Sequence, residues 1–170
     1  VELTELPYEL EGWSKGQDLR KWDKKELEKK VVAYYQKLWH ILNNGEGEKY
    51  VEVWKKADQE LFSYYYTTQE RYLKLVENDE YKNDANTNYQ IGWIYSDFEK
   101  AEDALKYLFK AEKLGRDDRA INAEIGINLA KTGKILEGMD RLKRALTMED
   151  NITLDDKIFL NSEIAFLYGD

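Results

Sequence analysis

The sequence predicts an all-α protein: antiparallel helix hairpins stacked as a short right-handed α-solenoid, behind an N-terminal arm that is irregular or a single short strand. Three observations carry this expectation. Apolar residues recur at three- and four-residue steps over long stretches, the spacing of one helix face. A single proline, Pro7, and ten scattered glycines leave little to interrupt helices after the first twenty residues. The stretch Asn88-Tyr89-Gln90-Ile91-Gly92 returns as Asn122-Ala123-Glu124-Ile125-Gly126, and 126 − 92 gives a fixed shift of 34 residues.

Along the chain, residues 1–22 form the arm, where Leu3, Leu6, Tyr8 and Leu10 alternate imperfectly around Pro7. Residues 23–84 read as a helical hairpin plus a third helix. The first stripe is Leu27, Val31, Tyr34, Tyr35, Leu38, Trp39 and Leu42, and it stops at Asn43-Asn44-Gly45. A second stripe, Tyr50, Trp54, Ala57, Leu61, Tyr64 and Tyr65, follows the Gly45-Glu46-Gly47 turn. The third helix spans residues 68–76, and the polar stretch 77–88 turns the chain with Asn78, Asp79, Asn83, Asp84 and Asn86 as turn formers and caps.

Residues 85–170 hold two repeats and a terminal helix. At the 34-residue shift Ala104 maps to Gly138, Leu108 to Leu142 and Ala111 to Ala145, which is a small, large, small series. A small residue lets two helices approach closely, and the large one fills the space beside it. A further first-helix copy, Asn161-Ser162-Glu163-Ile164-Ala165-Phe166-Leu167-Tyr168, follows after 165 − 126 = 39 residues, which places five extra residues in a loop over 151–156.

With Gly92, Ala104, Leu108, Ala111 and Gly126, Gly138, Leu142, Ala145 in this register, the chain resembles the tetratricopeptide repeat family over about residues 85–170. The string Leu114-Gly115-Arg116-Asp117-Asp118 between the repeats looks like a bacterial subset. Two positions depart from the family pattern: Arg116 and Asp150 replace its frequent proline, and Asn88 and Asn122 stand where an early tryptophan is common. The first hairpin is either a degenerate repeat, with Leu38, Trp54 and Ala57 at core positions, or a separate element, since Tyr50 stands where the small residue belongs.

The resemblance implies a protein–protein interaction module, a scaffold or adaptor that holds a partner protein or peptide in a groove lined by successive first helices, without catalysis. The groove positions it implies are Tyr89, Trp93, Ala123, Ile127, Ser162 and Phe166. Their apolar and aromatic character suits a hydrophobic segment of a partner. Packing between repeats is the competing role for Trp93 and Phe166. The Lys and Asn clamp that some family members close on a C-terminal carboxylate does not stand at these positions, which disfavours chaperone-tail binding.

Composition narrows the classes. A net charge of −8, from 34 acidic and 26 basic residues, repels nucleic-acid phosphates and anionic lipid, so neither nucleic acid nor membrane is an expected partner. With no cysteine there is no disulfide framework, thiol nucleophile or thiolate metal site, and with His40 alone no histidine pair can hold a metal. No cofactor is expected. No apolar run is long enough to span a bilayer. A start at Val1 fits a removed signal peptide or preceding domain, and the cytoplasm is the favoured compartment. The acidic pairs Asp117-Asp118 and Asp155-Asp156 read as helix caps rather than acid–base dyads.

Two other readings stay open at this point. Small acidic helical proteins include bacterial immunity-type inhibitors of toxins, and residues 6–66 bear a faint likeness to them. An enzyme or small-ligand site in the aromatic first half, lined by Tyr34, Tyr35, Trp39 or Trp54, is the other. The sequence leaves the oligomeric state open.

Overall fold

The structure, a computed structural model, describes residues 23–44, 81–148 and 151–169, together with individual positions between 55 and 79. Among the described residues every regular element is helical. The α-helices are α1 (Lys24–Asn44), α2 (Ala85–Asp97), α3 (Ala101–Lys113), α4 (Arg119–Lys131), α5 (Ile135–Thr147) and α6 (Leu154–Tyr168), with a short 3-10 helix at Lys74–Glu77. The expected arm over 1–22 and all six residues of the second stripe lie outside the described residues. No helix among the described residues is long and apolar enough to cross a membrane.

The chain divides into two compact units, Val1–Leu75 and Val76–Asp170. In the first, α1 begins where the Asp23 side chain accepts from the Lys25 amide at 2.9 Å. Its Leu27 is fully buried, as are Gln69 and Tyr72. Lys24 is buried as well, with its ammonium donating to Glu28 one turn on, at 2.6 Å. His40 is exposed.

The second unit is built from consecutive helices that pack on one another: α2 on α3, α3 on α4, α4 on α5 and α5 on α6, while α2 also touches α4 and α4 touches α6. The helix bounds follow the 34-residue shift throughout, since 85 + 34 = 119 and 97 + 34 = 131 carry α2 onto α4, and 101 + 34 = 135 and 113 + 34 = 147 carry α3 onto α5. One core holds Tyr89, Leu108, Ile121, Ile125 and Leu129 around the small Ala104 and Ala111. Another holds Met139, Leu142, Leu160 and Ile164 around Ala123 and Ala145.

The small residues sit where the backbones come closest. A Cβ added at Gly126 would lie 2.7 Å from the Gly138 carbonyl oxygen, and one at Gly138 would lie 2.5 Å from the Gly126 oxygen. These distances are below any van der Waals contact, so α4 and α5 touch backbone to backbone. At Gly92 the obstacle is a side chain, the Leu108 Cγ at 2.6 Å.

Helix starts follow the acidic residues. Asp84 caps α2 and Asp118 caps α4 by accepting from the amides of Thr87 and Ile121. Two expected boundaries move. The polar stretch predicted to run through Asn88 ends at Asp84, because the Asp84 cap starts α2 at Ala85 and places Asn88 inside the first turns. The loop expected over 151–156 is shorter, because Thr153 and Asp156 form a reciprocal capping box that draws Asp155 and Asp156 into the first turn of α6.

Candidate functional site

The six groove candidates fall in three pairs, each one helical turn apart: Tyr89 and Trp93 on α2, Ala123 and Ile127 on α4, Ser162 and Phe166 on α6. Because α2 touches α4 and α4 touches α6, the pairs lie on helices that neighbour one another in succession. Their exposures differ. Tyr89 is only 3% exposed and Ala123 8%, so both serve the cores. Trp93 and Ile127 are half-buried and pack partly against those cores. Ser162 is exposed, and Phe166 is 67% exposed.

Polar contacts outside the predicted set position these residues. The Arg116 guanidinium lies 3.5 Å above the Tyr89 ring, a cation–π contact that closes one side of the ring. Arg116 is itself fixed by Asp118 at 3.0 Å and by the Asn86 side-chain oxygen at 2.9 Å. Tyr89 and Trp93 meet with ring centroids 6.0 Å apart at 48°, a tilted aromatic pair. Thus Arg116 braces the first candidate aromatic.

Spacing between α2 and α4 is set by a buried polar contact, in which the Asn128 amide donates to Ser96 Oγ at 3.0 Å and to the Glu124 carbonyl at 2.8 Å. The Asn128 side-chain oxygen has no hydrogen-bond partner among the described residues. Such a buried acceptor costs about 1–3 kcal/mol, so Asn128 contributes register rather than net stability. The signal for it in the sequence is an asparagine between Ile127 and Leu129, on an otherwise apolar stretch.

A second network joins α3, α4 and α5. Arg141 donates through both terminal nitrogens to the two oxygens of Glu112, and through one of them also to the Asn122 oxygen at 3.0 Å. The Glu112 hydrogen bond holds the Arg141 pKa above its ordinary value. Nearby, Asp117 accepts from Arg144 at 2.6 Å and from the Asn122 amide at 2.8 Å. The acids between α3 and α4 are therefore occupied in caps and ion pairs. Among the described residues, no group of three or more His, Cys, Asp or Glu side chains is arranged to hold a metal ion.

In comparisons with known proteins, no family model matches this chain, and neither a curated protein nor a solved structure resembles it significantly.

Proposed function

We propose that the chain is a protein-binding helical scaffold of the tetratricopeptide kind, which holds a partner segment against α2, α4 and α6. The observation that carries this reading is the coincidence of helix bounds at a 34-residue shift, with glycines at the close approaches of each hairpin. Repeats of this sort stack with successive first helices side by side, and that arrangement presents Trp93, Ile127 and Phe166 on adjacent elements. Trp93 and Ile127 keep part of their apolar surface open to solvent, and Phe166 most of it, which suits anchoring of a hydrophobic side chain from a partner.

The test is affinity capture with the intact chain and with Phe166→Ala, read by mass spectrometry. Phe166 is mostly exposed, so its removal leaves the cores intact, whereas Trp93→Ala also removes packing from the α2–α3 core and serves as a second variant with folding checked by circular dichroism. A stoichiometric protein partner held by the intact chain and lost by both variants is the expected result. Retention by both moves the interface off this surface.

A further inference from the structure

The chain has two methionines, and the fold gives them opposite surroundings. Met139 on α5 is 6% exposed, inside the apolar core with Leu142, Leu160 and Ile164. Met148 is the half-buried residue at which α5 stops. Its sulfur accepts from the Asn122 side-chain amide at 3.6 Å, a hydrogen bond from α4 to the end of α5. That amide also donates to the Asp117 carboxylate and to the Asp118 carbonyl, each at 2.8 Å. Two hydrogens therefore serve three acceptors, of which the thioether is the weakest. The Met148 backbone is tied to α4 as well, its carbonyl accepting from Arg119 at 2.7 Å.

We propose that Met148 is a modification site, a methionine that peroxides convert to the sulfoxide and thereby loosen the joint between α4 and α5. One sulfur lone pair faces the Asn122 amide, and the other is the nucleophile. With hydrogen peroxide as oxidant, this lone pair attacks one peroxide oxygen, and an S–O bond forms as the O–O bond breaks. The proton of the attacked oxygen passes to the departing hydroxide, which leaves as water. The sulfur loses two electrons and the peroxide gains them.

Two features direct the reaction to Met148 rather than Met139. Peroxide and the water that relays its proton reach a half-buried helix end more readily than a closed apolar core. The product is polar, and a sulfoxide oxygen among Leu142, Leu160 and Ile164 would be buried away from any donor, whereas the Asn122 amide stands beside the Met148 sulfur. The same amide transmits the change. A sulfoxide oxygen is a far stronger acceptor than a thioether, so it competes with Asp117 and Asp118 for two hydrogens already given. As the Asn122 side chain turns towards it, its own oxygen leaves Arg141, from which it accepts at 3.0 Å. Oxidation at one atom thus reaches the polar contacts that join α3, α4 and α5.

The test is timed exposure of the full chain to hydrogen peroxide, with peptide mass spectrometry following the gain of one oxygen at each methionine. In the native chain Met148 should oxidise roughly tenfold faster than Met139 or more, and in concentrated urea the two rates should converge, because the difference comes from the fold. The chain oxidised at Met148 alone should melt roughly 2–4 °C lower than the untreated chain. Met148→Leu keeps the side-chain volume and removes the sulfur, so its melting temperature should not respond to the same exposure. Equal rates in the native chain overturn the proposal, as does a rate difference that persists in urea. An unchanged melting temperature after complete oxidation of Met148, or an equal loss in the Met148→Leu chain, overturns it too.

Discussion

α4 and α6 begin alike and differ in what covers them. Both bury two apolar residues one turn apart against the preceding helices, Ile121 and Ile125 on one, Leu160 and Ile164 on the other. Both place an asparagine whose amide donates back to the carbonyl four residues earlier, Asn122 to Asp118 and Asn161 to Lys157, at 2.8 and 2.9 Å. On α4 the next face is then closed by α5, and the Asn122 oxygen gains Arg141. On α6 that face is open. One buried stripe suffices to dock a helix, and the second stripe is where a hairpin gains its further packing and polar closure.

Changes within the closed hairpin should therefore cost far more than changes on the open face. Leu142 is fully buried, and Leu142→Ala should lower unfolding free energy by about 3 kcal/mol in urea titration, against about 0.5 kcal/mol or less for Ile158→Ala. Next in size, Gly126→Ala should cost about 1–3 kcal/mol, since the new methyl meets the Gly138 backbone and neither helix can yield locally. The reverse change on the open face, Ala165→Gly, relieves no contact and should cost only the helix preference of about 1 kcal/mol. A comparable loss of about 1 kcal/mol is expected for Asp118→Ala, which leaves the Ile121 amide without its cap acceptor; thermal melting reads it.

The smallest effect sharpens a comparison between the two hairpin turns. Glu99 and Gly133 are 34 residues apart and both have positive φ, 59° and 90°. Glycine takes this conformation without steric cost and glutamate does not. Glu99→Gly should raise stability by about 0.5 kcal/mol, the gain reduced by the loss of the exposed ion pair with Lys131 at 3.2 Å and by glycine's larger unfolded-state entropy. No gain in melting temperature would mean that the left-handed turn at residue 99 is not strained.

The helices from α2 to α5 were legible because a fixed shift forces the same bounds twice, and because Gly92, Gly126 and Gly138 mark where backbones must meet. Asp118 announced the start of α4 in the same way. Two helix starts were misjudged for a shared reason: polar residues in a first turn look like loop until their cap partner is known. Asn88 is buried at the start of α2, and Asp156 is held by Thr153. The groove candidates fall on α2, α4 and α6, but the 34-residue register could not show that Tyr89 and Ala123 are nearly covered while Phe166 is open. Exposure depends on which neighbour arrives, and α6 is apolar on several sides at once. Nor did the sequence announce the Arg116–Tyr89 stack, whose partners are separated by 27 residues, 116 − 89.

Arg119 ties the entrance of α4 to the exit of α5. Its buried guanidinium donates to the carbonyls of Ala145 and Met148 at 3.1 and 2.7 Å, the oxygens that a helix end otherwise leaves to water. If the last turn of α5 frayed alone, a covered cation would lose these two acceptors. If the first turn of α4 frayed alone, those carbonyls would lose their donor. The two turns should consequently open as one cooperative unit, and native-state hydrogen exchange should show their backbone amides sharing a common protection although they lie at opposite ends of the hairpin sequence.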